Sequence, residues 1–192
     1  MNPFIKQFGK PEGLPGKILG KIMTVSNRKM HLAVLSELNK PSKLLEIGFG
    51  PGAQLEMIYN KYPAVELYGI DISEDMLKMT TERLGDNAVL SLCDCSKMPF
   101  ADSSFDTVIT TDTCYFWKDH EKTLGEIRRI TGHNGRFIMA YNAMYADAVH
   151  KSDRSCGMYN DETICRAVRK AKMKIVCERS CGYKQKIFVI RT

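Results

Sequence analysis

Leu44-Leu45-Glu46-Ile47-Gly48-Phe49-Gly50-Pro51-Gly52 runs from an apolar strand-like stretch into a turn with glycine at every second position. Glycines in such a turn let the backbone pass close to a ligand without Cβ clashes. The N-terminus of a following helix then presents free amides to an anionic or polar group. A nucleotide-like ligand is implied. The loop alone does not say which: Gly48-x-Gly50-x-x-Ala53 also satisfies the G-x-G-x-x-G/A dinucleotide fingerprint, and Asp71, nineteen residues beyond Gly52, is the ribose-binding acid under either reading.

Outward from the loop the pattern becomes regular. Strands are expected near 44–48, 65–71, 88–93, 106–111 and 136–142, with helices near 53–61, 74–83 and 119–131 between them. Ser73-Glu74-Asp75 offers hydroxyl and acidic groups to the orphan amides of the second of these helices. Strands joined by crossover helices make a parallel, right-handed α/β sheet. The tail differs: a helix near 160–172 precedes KIVCERS and KQKIFVIRT, which are separated by Cys181-Gly182-Tyr183 and so are close enough to pair as an antiparallel hairpin. The expected fold class is α/β, a Rossmann-like, doubly wound, seven-stranded, mostly parallel sheet with a C-terminal antiparallel hairpin.

Upstream of the loop, Met30, Val34 and Leu38 recur at four-residue spacing with Leu35 on the same side, predicting an amphipathic helix from Asn27 to about Leu38. Residues 9–20, GKPEGLPGKILG, hold four glycines and two prolines, too many for a stable helix on propensity alone. An irregular arm is expected there.

Composition bounds the rest. At 192 residues, with 44% apolar and 26% charged residues, the chain can build one sizeable core, which excludes disorder, collagen and coiled coil. No run approaches the roughly 20 apolar residues that span a bilayer, and MNPFIKQFGKPEG lacks an unbroken apolar signal region. A cytoplasmic protein without membrane contact is expected. Seven cysteines, an odd number, fit reduced thiols, and neither Cys93-x-Cys95 nor Cys177-x3-Cys181 has a second pair at zinc spacing. No metal is expected. The net charge of +6 divides into +6 for residues 1–43, −7 for 44–150 and +7 for 151–192. The basic ends read either as the cover of a site for an anionic substrate or nucleic acid or, in preference, as solvated helix faces, since no basic run interleaves with aromatics as nucleic-acid surfaces do.

Three features separate the two readings of the loop. Glu46 sits inside the first strand, where a dinucleotide fold would more usually hold an apolar residue. A third acid, Asp94, follows the third strand in Cys93-Asp94-Cys95-Ser96. The helix after strand four ends in Ile127-Arg128-Arg129-Ile130-Thr131-Gly132-His133-Asn134-Gly135-Arg136. Over about residues 44–140 the chain closely resembles the class I S-adenosylmethionine-dependent methyltransferases of the small single-domain kind. The family's (D/E)-x-G-x-G-x-G loop is matched by Glu46, Gly48, Gly50 and Gly52. Its ribose acid is matched by Asp71, with Ile72 and Met76 flanking the adenine, and its adenine-side acid by Asp94, whose neighbour Cys95 offers a backbone amide. Phe105-Asp106 and Thr110-Thr111 match the strand-four passage, which places Thr111 near the methionine moiety. The family's R-V-L-K-P-G-G approach to strand five is degraded here to Arg129-Ile130-Thr131-Gly132-His133-Asn134-Gly135.

The resemblance implies S-adenosylmethionine as cofactor and methyl transfer to a small-molecule substrate, with no nucleic-acid partner. It also implies a single domain over 1–192: an N-terminal arm and helix covering the site (1–40), a cofactor-binding core (41–142), and a substrate-side segment with the hairpin (143–192). An NAD(P)-binding oxidoreductase and a non-catalytic cofactor-binding regulatory or scaffold protein are the alternatives. Tyr115-Phe116-Trp117, after strand four, are candidate walls of an acceptor pocket. A protonated acceptor needs a base; His31, Tyr115 and His150 are the candidates, the last in a stretch, 143–158, expected to be irregular. Asp112 and Asn142 are two potential magnesium ligands without a third.

Overall fold

The computed structural model describes Gln7, residues 9–155 and residues 157–192, so Cys156 and most of the first eight residues of the arm lie outside the described residues. Seven strands, β1 (Lys43–Ile47), β2 (Glu66–Asp71), β3 (Val89–Leu92), β4 (Phe105–Thr111), β5 (Thr131–Asn142), β6 (Lys174–Gly182) and β7 (Gln185–Arg191), form one sheet in the order β3-β2-β1-β4-β5-β7-β6. The first five run parallel; β7 is antiparallel to both β5 and β6. The mostly parallel sheet with a C-terminal hairpin is the one the sequence predicts.

Seven α-helices cover it among the described residues: α1 (Gly13–Ser26), α2 (Arg28–Glu37), α3 (Ala53–Lys61), α4 (Glu74–Leu84), α5 (His120–Ile130), α6 (Ala143–Ser152) and α7 (Asp161–Lys170). Alternation along the strands divides the core into two layers. Leu45, Ile47 and Val108 meet Leu124 and Ile127 of α5 and Ile164 and Val168 of α7, whereas Leu44 and Ile109 meet Met30 and Val34 of α2, Leu55 and Ile58 of α3, and Met76 of α4. Both faces are thus sealed, and the carboxyl ends of β1, β2 and β4 are left as the place where polar groups converge.

Two expectations need correction. Residues 13–26 are helical, not irregular. Pro15 falls in the first turn, where its missing N–H has no intrahelical partner to lose. The glycines serve packing: a Cβ on Gly16 would lie 2.7 Å from the Pro11 carbonyl carbon, and one on Gly20 would touch Met76 of α4 at 3.4 Å. Tertiary contact therefore outweighs the propensity cost of about 1 kcal/mol per glycine. The second correction is α6, which occupies most of the stretch expected to be irregular. Its start is fixed by Asn142, whose side chain accepts the Met144 N–H at 3.0 Å.

Candidate cofactor and acceptor site

A cavity of about 280 Å³ opens at the carboxyl ends of β1, β2 and β4. The glycine loop forms its floor. Gly48 and Gly50 have φ of 72° and 52°, in the left-handed region; at Gly48 a Cβ would collide with Thr113 at 2.4 Å, while at Gly50 nothing lies within 4 Å of where a Cβ would be. The backbone at Gly50 thus faces open cavity, room that a side chain would fill. Helix α4 braces the loop from behind: Thr80 Oγ1 donates to the Gly50 carbonyl at 2.8 Å and Arg83 Nε to the Pro51 carbonyl at 2.9 Å.

Asp71 ends β2 and lines the cavity. Its Oδ2 accepts the Gly50 N–H and its Oδ1 the Ser73 N–H, both at 2.9 Å. Burial pushes its carboxyl up, and these amides hold it back. Ile72, Met76, Asp94, Cys95 and Thr111 also line the cavity. Asp94 Oδ1 accepts the Ser96 N–H at 2.8 Å, which shapes the turn after β3. Arg129 fixes the segment that follows, donating to the Met98 and Phe100 carbonyls at 3.1 and 2.7 Å and pairing with Glu126 and Asp102 at 2.8 and 2.9 Å. Cys95 approaches Thr123 Oγ1 at 3.7 Å, and burial drives its thiol up to about 12, so it is inert as a nucleophile at neutral pH.

Two of the loop residues stand behind the lining. Gly52 caps α3 against Thr80. Glu46 is 2% exposed, with Oε2 unpartnered. Its carboxyl is raised well above the ordinary range, by burial first and by the nearby Asp71 charge second.

The three candidate bases separate. His31 is buried in α2 away from the lining, and desolvation lowers it to about 4. His150 stacks on Tyr159 with ring centroids 3.6 Å apart, also away from the cavity. Tyr115 lies in the short 3₁₀ turn after β4, with its hydroxyl toward Asp112. Asp112 and Asn142 do meet, though not as paired ligands: the Asn142 backbone N–H donates to Asp112 Oδ1 at 2.7 Å, and the Asn142 side chain caps α6. Among the described residues no three His, Cys, Asp or Glu side chains cluster as a metal site would require.

A dinucleotide-binding sheet continues parallel through its sixth strand in the order 3-2-1-4-5-6. Here an antiparallel strand, β7, is inserted between β5 and β6. A family model described as a methyltransferase domain matches residues 45–139, which holds the loop, Asp71 and Asp94. The chain belongs to the class I S-adenosylmethionine-dependent methyltransferases. It is similar to the uncharacterized methyltransferase YdaC of Bacillus subtilis, 29% identical over 143 residues that cover 73% of this chain and 79% of that protein. It is also similar to a demethylmenaquinone methyltransferase of Thermotoga maritima, 30% identical over 126 residues covering 66% of this chain and 54% of the relative. Among solved structures, a SAM-dependent methyltransferase from Aquifex aeolicus shares the fold, with a TM-score of 0.74 at 16% identity, over 98% of this chain and 96% of the other. S-adenosylmethionine is the cofactor of this methyltransferase. The lining suits it: open backbone at Gly50, carboxylates at Asp71 and Asp94 for hydroxyl and amine donors, and apolar walls at Ile72 and Met76.

Proposed function

We propose that this methyltransferase acts on a small-molecule acceptor, with Asp71 holding the ribose hydroxyls, Asp94 and Cys95 the adenine edge, Ile72 and Met76 the adenine faces, and Thr111 the methionine end. The observation that carries the reading is one cavity joining the glycine loop and Asp71 to Thr111, Asp112, Phe116 and Trp117, so that the cofactor side and the residues after β4 share one opening. The Thermotoga relative is named for a quinone-type small molecule, which supports the substrate class. Glu46 and Gly52 take structural roles in this scheme, since they set the loop without reaching the cavity.

The arm is the lid. Gly9, Pro11 and Met23 line the cavity, and the arm is clipped to the N-terminus of α4 by the Gly13 N–H to Asp75 Oδ2 at 2.7 Å and by Ser73 Oγ to the Pro11 carbonyl. Excluding water strengthens the site's electrostatics and holds an acceptor in line. The test is calorimetry with S-adenosylhomocysteine and with NAD(H), followed by incubation with methyl-labelled cofactor and a cell extract fractionated into small molecules, protein and RNA. Label in the small-molecule fraction supports the reading; label mainly in RNA or protein overturns it.

A further inference from the structure

Beneath α1 a second cavity, of about 110 Å³, adjoins the first, and Met23, Asp112 and Phe116 line both. Leu19 and Ile22 of α1 line it together with Tyr115 and Tyr145, and Asp112 is the one acid among its described lining residues. An apolar cavity of roughly 150 Å³ accepts benzene. The chamber is of that order of size, adds Ser26 and Asn27 to its apolar wall, and shares Met23, Asp112 and Phe116 with the cofactor cavity, so one ring is the largest group it would hold beside the cofactor.

Asp112 is fixed in place by the backbone around it. Its φ of 57° is left-handed, and its N–H donates to the Ala140 carbonyl at 2.9 Å. Oδ1 accepts the Asn142 N–H at 2.7 Å, and the Tyr115 hydroxyl turns toward the carboxyl. Oδ2 is buried and unpartnered. A buried acceptor atom left open beside a cavity is satisfied by a donor on a ligand.

We infer that this chamber is the acceptor site, that it takes a one-ring compound bearing an ionisable ring hydroxyl, and that Asp112 Oδ2 is the base that receives the hydroxyl proton. This rests on the methyl-transfer reading above. The acceptor oxygen's lone pair forms the bond to the methyl carbon supplied by S-adenosylmethionine, the carbon–sulfur pair returns to sulfur as a neutral thioether, and the hydroxyl proton passes to Asp112 and then to solvent. Burial lifts the Asp112 carboxyl to about 7, opposed only by the Asn142 amide and the Tyr115 hydroxyl, which poises it for proton transfer near neutrality. The titratable groups that face it are Tyr115 from the 3₁₀ turn, Tyr145 from α6 and Cys181 from β6. Burial raises Tyr115 and Cys181, so neither is ionised at pH 7.

The probes are phenol and the more acidic 4-nitrophenol. Calorimetry in the presence of S-adenosylhomocysteine should show both binding to the native chain, and Ile22→Trp, which enlarges a residue of the chamber wall, should weaken phenol binding at least tenfold while leaving S-adenosylhomocysteine binding within threefold. Asp112→Asn should slow methyl transfer to phenol by about 100-fold or more and remove the rise in rate through pH 7. Its effect on 4-nitrophenol, which needs less help from a base, should be smaller. If S-adenosylhomocysteine binds but phenols do not, or Ile22→Trp leaves phenol binding intact, the acceptor site is elsewhere. If Asp112→Asn keeps the rate and its pH profile, Asp112 is not the base. Failure to bind S-adenosylhomocysteine at all would overturn the methyltransferase reading as well.

Discussion

Asp112→Asn should stabilise the ligand-free protein at neutral pH even as it disables transfer. The carboxyl rises from 3.8 to about 7 on folding. The folded chain therefore keeps a proton that the unfolded chain releases as pH climbs from about 4 to about 7. This group's contribution is accordingly complete below about pH 4, declines as pH rises, and is flat above about 7. At about 1.36 kcal/mol per pH unit, the rise sets a ceiling of about 4 kcal/mol on what the native aspartate costs at pH 7.5. Asparagine avoids that cost, tolerates left-handed backbone, and still accepts the Asn142 N–H, but it buries an amide N–H₂ where Oδ2 had no partner. That burial takes back about 1–3 kcal/mol. The net gain near pH 7.5 is at most about 3 kcal/mol, a rise in Tm of no more than roughly 6–12 °C for a chain of this size. Below pH 5 the variant should be the less stable protein. Scanning calorimetry of both proteins from pH 4.5 to 8.5 reads the difference directly. A Tm difference that does not change with pH would refute the reasoning, whatever its sign.

Three further outcomes are expected. Asp71→Ala removes one charge-assisted acceptor, worth about 1.5–3 kcal/mol, and should weaken S-adenosylhomocysteine binding by about 10- to 150-fold by calorimetry; a change under threefold would place the ribose elsewhere. Gly16→Ala would ordinarily strengthen a helix by about 1 kcal/mol, but its Cβ meets the Pro11 carbonyl carbon at 2.7 Å. It should lift the arm, speed hydrogen exchange over residues 9–25 and lower cofactor affinity; faster exchange with affinity unchanged would deny the arm a lid role. Arg129→Ala frees the Met98 and Phe100 carbonyls and, for a guanidinium still 30% exposed, should lower stability by about 1 kcal/mol, seen as a Tm drop of roughly 2–4 °C that narrows in 1 M salt.

The sequence displayed the glycine loop and Asp71 because their requirements are local. Gly48 and Gly50 are demanded by backbone at positive φ, and Asp71 by its place at the end of β2, so the spacing alone carries them. The acceptor half is set by long-range contacts. From the sequence Asp112 and Asn142 amount only to two potential metal ligands without a third, because nothing in the spacing shows that a backbone amide thirty residues on orients the carboxylate. His31 and His150 were plausible as residue types; burial in α2 and stacking on Tyr159 are properties of the packed chain. The arm misled for the same reason, since its glycines look like helix breakers until Pro11 and Met76 are packed against them.

Among the described residues, four buried side-chain atoms lack a hydrogen-bond partner: His31 Nδ1, Glu46 Oε2, Gln54 Nε2 and Asp112 Oδ2. Three of them converge on one end of the sheet. Glu46 lies one residue from the end of β1, Gln54 takes the hydroxyl of Thr111 at the end of β4 at 2.8 Å, and Asp112 follows Thr111. Each such atom costs about 1–3 kcal/mol, and apolar residues of similar size would relieve that cost if stability alone mattered. Other buried polar groups, such as Ser73, Thr110 and Thr131, have their bonds. The uncompensated cost is thus concentrated at the carboxyl end of the sheet, and of the three only Asp112 lines the cavity. The two carboxyls are also coupled: the Asp71 charge adds to burial in raising Glu46, while the Ser73, Gly50 and Ile72 amides hold back Asp71, the one that lines the cavity. Asp112, lifted to about 7 with no charged side chain among the causes of its shift, stays free to change its charge during turnover. A carboxyl serving only as a turn residue would gain nothing from that isolation.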